Sequence, residues 1–404
     1  MDLPGLPTAL WPALAEAAAP QRVALVGGAV RDLLLHREHR DPWRGLVDLD
    51  LVVEGSAEAF VQRLAALDAV RLVTMRSHGA YGTVELELAL EGVLLLMDVA
   101  TARAEHYPVA AGKPVVIPAS LEADLARRDF TINAMAMLLT PSGGSPQLLD
   151  PHGGRADLEA RALRFLHRES VRDDPSRLVR AARYAARLRF GLADAALQQV
   201  QHTLQLKPWS SADGLPGLTS RLRMELSLLL EREPWLQALR LLQAWGGLAL
   251  LDQPLQDDHT WPRRLRWGQR FGLPPLAVLL AGCGDPVAVA HRLQLPQRQR
   301  NDLAAFVHLR ERLLQLPRPF QDPSAWVLWL EEPGVTPTAV AFCLAAGCGP
   351  RRPLLRWLLR WRHQRSPIDA AALMASEGLA PGPQLGQRLL QLRLERIDQL
   401  EADR

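Results

Sequence analysis

Cysteine is scarce in this chain. Cys283, Cys343 and Cys348 are the only three in 404 residues. They form an odd set with no CxxC pair and no histidines at ligand spacing, which argues against a disulfide framework or a zinc ribbon and predicts reduced core residues. Lysine is scarcer still: Lys113 and Lys207 stand alone, so 45 of the 47 cationic residues are arginine. The guanidinium fork suits phosphate oxygens, but a biased codon usage produces the same replacement. The formal net charge of +3 is too small for a polycationic coat on nucleic acid. Long apolar runs are missing too. No stretch of about 18 apolar residues occurs, and the first twenty residues have no cationic start and are broken by Pro4, Pro7, Pro12 and Glu16. These absences predict a soluble cytoplasmic protein with no membrane partner. What is present, 48% hydrophobic residues in a chain of this length, excludes wholesale disorder and suggests two to four packed units.

The first 150 residues mix short β-rich runs with helices: VALV at 23–26, DLDLVV at 48–53, GTVELELAL at 82–90 and VLLLMDV at 93–99. From about 155 onward Leu, Ala and Arg recur at helical spacing, as in RLVRAARYAARLRF (177–190) and RLRMELSLLLE (221–231), and the remainder is predicted all-helical. Breaks fall at 207–217, 252–262, 282–286 and 314–324.

Two segments in the first part carry chemistry. The strand VALV runs into GGAVRDLLL, where Gly27 and Gly28 allow a tight turn that presents N–H groups at a helix start. An anion fits there, and Arg31 on the first helical turn adds a fork to it; a plain strand-to-helix turn fits the same residues. Asp48 and Asp50, two apart on a strand, project from one face and are costly together without a cation. Mg²⁺ takes such hard oxygen ligands and is suited to bridging a nucleoside triphosphate, with Asp98 at the end of VLLLMD as a candidate third ligand. An isolated D-x-D also flanks turns in solvated form.

In order along the chain, GGAVRD, DLD and then ARRDFTINAMA (126–136) resemble the nucleotidyltransferase branch that contains bacterial tRNA nucleotidyltransferases, the CCA-adding enzymes, and their poly(A) polymerase relatives. The resemblance covers roughly residues 20–230 by motif. It implies an α+β fold, a small mixed-sheet nucleotidyltransferase head (1–150) followed by an elongated all-α neck (151–232) and a tRNA-binding body and tail (233–404). It implies that Gly27 and Gly28 support the triphosphate, that Arg31 and Arg128 contact it, that Asp48 and Asp50 bind catalytic Mg²⁺, and that Asp129 and Asn133 shape the sugar pocket. As helix caps, Asp129 and Asn133 have an ordinary structural reading as well.

The segment RDDPSRLVRAARYAARL (172–188) matches the family's E-D-x-x-R motif with Asp173 in place of the usual Glu. Asp174 and Arg177, three apart, form an edge of one acceptor and one donor. Cytosine offers an amine beside N3 and adenine an amine beside N1, so Asp174 accepts from the amine while Arg177 donates to the ring nitrogen; uracil and guanine mismatch at both positions. Arg180 and Arg183 continue the row toward the triphosphate or the RNA end. Between Arg161 and Phe190 nine arginines face three acids, a local net charge of +6. Asp174 ahead of Pro175 is equally a helix cap, and exposed arginines are commonly solvated. In SRLRMELSLLLE, Arg223 and Glu225 are expected to brace this helix. RRPLLRWLLRWRHQR (351–365) holds six arginines and no acid. It suits either a grip on tRNA phosphates or a surface helix whose tryptophans fill the core.

The expected activity is template-independent addition of C and A to the tRNA 3′ end from CTP and ATP, with Mg²⁺ and release of pyrophosphate. CC-only, A-only and poly(A) addition are alternatives within the class, and a non-catalytic RNA-binding protein is the alternative outside it. The oligomeric state is left open.

Overall fold

In a computed structural model the chain is described over residues 5–43, 49–79, 82–140, 146–209 and 216–402. It divides into two compact units. The first comprises residues up to Glu225 together with Glu233–Gly246, and the second comprises Leu226–Arg232 with Gly247 onward.

The first unit opens with α1 (Leu10–Ala18), β1 (Val23–Val26), α2 (Gly28–His39), β2 (Leu49–Val53) and α3 (Ala57–Ala65). β3 (Arg71–His78), β4 (Thr83–Leu90) and β5 (Val93–Thr101) follow, then the hairpin of β6 (Arg103–His106) and β7 (Val115–Pro118). After α4 (Leu121–Ala126) come β8 (Ala136–Leu138) and β9 (Gln147–Leu149). The main sheet runs β3-β4-β5-β2-β1-β8-β9; β2 and β5 pair in parallel and every other neighbour is antiparallel.

Alternation dictates the faces. In β5, Leu95, Met97 and Val99 are buried while Leu94, Leu96 and Asp98 are exposed; in β4, Val84, Leu86, Leu88 and Leu90 point inward. α3 covers that inner face with Phe60, Val61 and Leu64, each fully buried side chain contributing about 1.5–3 kcal/mol relative to exposure. β1 is buried along its whole length, and Ala24 and Val26 share a core cluster with Val52 and with Leu121 and Leu125 of α4. This fixes the end of the central strand β1 from which the Gly27 turn emerges.

Next come α5 (Gly154–Glu159), β10 (Ala162–Leu163), α6 (Ser170–Asp173), α7 (Ser176–Leu188), β11 (Gly191–Leu192), α8 (Asp194–Leu206), α9 (Pro216–Arg232) and α10 (Trp235–Ala244). Ala181, Ala182, Ala185 and Ala186 bury α7 closely, and α10 packs along it. The second unit holds α11 (Gln253–Gln256), α12 (Trp261–Arg270), α13 (Pro275–Leu280), α14 (Pro286–Arg292) and α15 (Gln297–Gln315). It closes with α16 (Pro323–Leu330), α17 (Pro337–Ala346), α18 (Arg351–Leu359), α19 (Ala370–Glu377) and α20 (Pro383–Ala402).

The architecture is the expected mixed-sheet head with a mostly helical remainder. Three details differ from the sequence reading. β3 is an edge strand exposed along nearly all its length, so RLVTMRSH carries no inward apolar stripe to betray it. The segment after Asp98 contains the β6–β7 hairpin. The region beyond 155 is not purely helical, because β10 and β11 form a short parallel pair. The boundary between the units cuts α9 between Glu225 and Leu226, where no Pro or Gly marks it, and falls again between Gly246 and Gly247. Cys283 and Cys343 are buried, Cys348 partly so, and all three are free thiols. Among the described residues no helix is long and apolar enough to cross a membrane.

Candidate active site

Gly27 has φ of 72°, a conformation that favours glycine, and its carbonyl accepts the Arg31 amide at 3.2 Å as α2 begins. A side chain at Gly27 would sit 3.4 Å from Arg128 Nη1 and 3.5 Å from Asp50 Oδ2. The turn is therefore the meeting point of a carboxylate, a guanidinium and a helix start. Asp98 is the register partner of Asp50 on the parallel strand β5, and Glu85 of β4 is the partner of Asp98. Glu85 is already engaged by Arg76 at 3.7 Å and His78 at 3.3 Å. Asp48 lies outside the described residues. Among the described residues no group of three or more His, Cys, Asp or Glu is gathered as a metal cage. Asp50 and Asp98 nonetheless supply the hard oxygen donors that Mg²⁺ takes, so the donor chemistry fits.

The run ARRDFTINAMA leaves α4 and threads the site. Asp124, almost fully buried, clamps both arginines that follow it: Oδ1 accepts from Arg127 Nη2 at 2.7 Å and Oδ2 from Arg128 Nη2 at 3.0 Å. Asp129 Oδ1 accepts from the Phe130 amide at 2.8 Å and from Asn133 Nδ2 at 3.0 Å, while Oδ2 accepts from Arg180 Nη1 at 3.1 Å. Burial works against this carboxylate, but the Arg180 guanidinium and the Asn133 amide outweigh it and hold its pKa below the ordinary value. Asn133 turns its other atom outward, Oδ1 accepting from Arg31 Nη1 at 2.7 Å. Asp129 and Asn133 thereby link arginines of two segments, Arg31 and Arg180.

Asp174 stands in extended backbone just before α7 and not on the helix itself, because Pro175 follows it. Its Oδ1 accepts from the Ser176 amide at 3.1 Å and hydroxyl at 2.6 Å, a helix-starting contact, and its Oδ2 pairs with Arg221 Nε at 3.2 Å. Arg177 donates through Nη2 to the Arg127 carbonyl at 2.8 Å. His167 lies 3.5 Å from Arg177 Nη1, and burial followed by that guanidinium lowers the imidazole pKa. Arg180 and Arg183 share Glu225, which is buried. Arg183 also reaches Glu233 at 3.2 Å.

A cavity of about 510 Å³ collects these parts. Gly27, Gly28, Asp50 and Arg128 line it together with Asp129, Asn133, Asp174, Arg177 and Arg180. Arg31, Asp98 and Arg183 are outside its lining: Arg31 is buried beneath Tyr184, Asp98 is exposed on the sheet face, and Arg183 is interior with its two glutamates. The cavity also takes in Glu105, Tyr107, Tyr184 and Arg221, which sequence reading did not single out. Tyr184 had a signal, since it lies seven residues beyond Arg177 on the same helical stripe. The others come from a hairpin and from α9, whose approach to the site no local pattern encodes. Burial, then the nearby carboxylates of Glu105 and Asp174, push the Tyr107 hydroxyl up to about 12.

A mixed sheet carrying a strand carboxylate beside a Gly-Gly turn, with arginines converging on the same cavity, defines a nucleotidyltransferase. The poly A polymerase head domain model matches residues 23–164. The chain is 40% identical over 292 residues to a CC-adding tRNA nucleotidyltransferase of Deinococcus radiodurans, covering 70% of each chain. An apo CCA-adding enzyme structure superposes with a TM-score of 0.70 at 26% identity over 96% of this chain and 91% of that one. A Thermotoga maritima CCA-adding enzyme in complex with tRNA gives 0.67 at 25% identity over 96% and 91%. The chain belongs to the tRNA nucleotidyltransferase and poly(A) polymerase family, and it is an enzyme of that family, which generally works with a divalent metal ion.

Proposed function

We propose that the protein adds C and A nucleotides to the 3′ end of tRNA in the cytoplasm, using CTP and ATP and releasing pyrophosphate, with its own side chains in place of a nucleic-acid template. The observation that carries this reading is the single cavity in which the Gly27–Gly28 turn, Asp50 and Arg128 share space with Asp174 and Arg177. One nucleotide placed there meets phosphate donors at one end and a base-reading pair at the other. Gly27, Gly28, Arg31 and Arg128 hold the triphosphate, Asp129 and Asn133 the sugar, and Asp48 and Asp50 the metal, with Asp98, the register partner of Asp50, as a third carboxylate. When bound, Mg²⁺ lowers the pKa of the terminal ribose hydroxyl and neutralises charge on the α-phosphate and departing pyrophosphate.

Base choice falls to Asp174 and Arg177. The amine of C or A takes the place of Arg221 on Asp174, and Arg177 donates to the adjacent ring nitrogen. Arg180 faces the nucleotide, and Arg183 serves it from inside by sharing Glu225. Residues 233–404 carry the tRNA body.

One observation favours a narrower product. The Deinococcus relative, aligned over 70% of both chains, is a CC-adding enzyme. Incubating a tRNA that lacks its 3′ end with Mg²⁺ and labelled CTP, ATP or both tests all readings. Incorporation of both nucleotides supports CCA addition, CTP alone supports the CC-adding reading, a long A ladder makes the protein a poly(A) polymerase, and no incorporation with either nucleotide overturns the proposal.

A further inference from the structure

We propose that Tyr184 is a positioning residue that mounts Arg31 against the triphosphate. This rests on the reading that Arg31 contacts that group. Arg177, Arg180 and Tyr184 follow each other at i, i+3 and i+7 on α7, and all three line the cavity. Seven residues of helix advance about 10 Å, a distance on the scale of one nucleotide from base to outer phosphate. The stripe that reads the base with Arg177 thus ends, two turns later, on the aromatic ring at the triphosphate end.

That ring is held on several sides. Phe130 meets it edge-on with centroids 5.7 Å apart, and Phe130 is itself packed on Phe165 at 5.4 Å. The Arg31 guanidinium lies 5.1 Å from the Tyr184 centroid and that of Arg187 lies 5.3 Å away. Arg187 is neutralised by Glu233, which accepts from its Nε at 3.0 Å. Arg31 is 2% exposed, and its charge is met by Asp32 at 2.8 Å and 3.0 Å and by the Asn133 carbonyl oxygen. Its Nη2 backs onto the glycine turn so closely that a side chain at Gly28 would sit 3.4 Å from it.

Tyr184 therefore covers one side of the Arg31 guanidinium and Gly28 backs another. A cation held over a desolvated ring face gains up to about 2 kcal/mol, and once Asp32 and Asn133 have taken one N–H from each guanidinium nitrogen, the second N–H of each terminal nitrogen is left to meet an anion. Among the described residues the Tyr184 hydroxyl makes no hydrogen bond, so the ring and not the hydroxyl does the positioning.

The test uses inorganic tripolyphosphate as a competitive inhibitor of CTP incorporation into tRNA lacking its 3′ end. Y184F keeps the ring and should leave the inhibition constant within about twofold, whereas Y184M, a smaller flexible apolar side chain without a π face, should raise it about tenfold. KM for CTP and ATP should rise together, leaving the preference between the bases unchanged. Y184M with a wild-type inhibition constant, or Y184F as impaired as Y184M, overturns the proposal. R31M separates the two levels: an unchanged inhibition constant in R31M brings down the reading of Arg31, while a raised one with Y184M unaffected brings down only the role of Tyr184. Should Y184M not fold, tripolyphosphate titrated into the unaltered protein should shift the Tyr184 ring and Arg31 Nε–H resonances together, and no shift overturns the proposal.

Discussion

Two arginine-rich helices look alike in sequence and live differently in the fold. In α7 three of the four arginines are caged by acids, Arg177 being the exception. Arg180 spans Asp129 and Glu225, Arg183 spans Glu225 and Glu233, and Arg187 is bound by Glu233, with Glu225 and Glu233 nearly inaccessible to water. In α18 the basic residues are largely uncaged. Arg351 lies 4.2 Å over the Trp267 ring, where Arg270 also sits at 4.8 Å, Arg352 is exposed, and among the described residues only Arg356 meets an acid, Glu401 at 2.7 Å. α18 stops at Leu359, so Arg360 and Trp361 lie beyond the helix that carries Arg352, Arg356 and Trp357; Trp357 and Trp361 both fill the core. A buried arginine with two carboxylates is a rigid part of a site, whereas a solvated one is a contact for a large polyanion.

The largest effect should come from opening the cage. E225Q removes the charge shared by Arg180 and Arg183 and should cost about 3–5 kcal/mol in urea unfolding, since it leaves two guanidinium groups short of a counter-charge. A loss below about 1 kcal/mol would mean that α7 is no more dependent on its acids than α18 is.

Next is R177A, which should lower kcat/KM for CTP and ATP about a hundredfold and narrow their advantage over UTP and GTP. Retained selectivity would remove Arg177 from base reading.

On the other side of the comparison, the double variant R270A/R351A should weaken tRNA binding about tenfold at moderate salt and reduce the salt slope by about two. Its KM for CTP should stay as in wild type, and its stability should fall by no more than about 1 kcal/mol. An unchanged salt slope would assign these arginines to the solvated surface instead.

The smallest effect is of pH and belongs to the cavity. Tyr107 is neutral in the folded state up to about 12, against an ordinary tyrosine value of 10.0. The stability it contributes is present below about pH 10 and is lost as pH rises through about 12, because the unfolded chain ionises first. Y107F should flatten that alkaline limb by an amount on the order of 1 kcal/mol or less, measured as unfolding free energy from pH 9 to 12.

Much of the site was legible because its parts are local. Gly27 and Gly28 sit at one strand-to-helix turn, and Asp129 and Asn133 lie within one short run, so spacing alone brings them together. Arg183 was legible as part of a row but not in its role: the row continues along α7, yet Glu225 and Glu233 lie more than forty residues away and turn it inward. The hairpin residues Glu105 and Tyr107, and Arg221 on α9, had no local signature at all.

Order and chemistry along the chain, namely a glycine turn, strand carboxylates, an arginine-aspartate run and a helix preceded by Asp174, determined the family and the class of reaction, since these depend on backbone propensity and side-chain type. Tertiary structure decided which of the similar arginines line the cavity, which are caged and which remain in water. Charge in a protein takes its meaning from its desolvation and its partners, and both are set by packing between segments far apart in sequence.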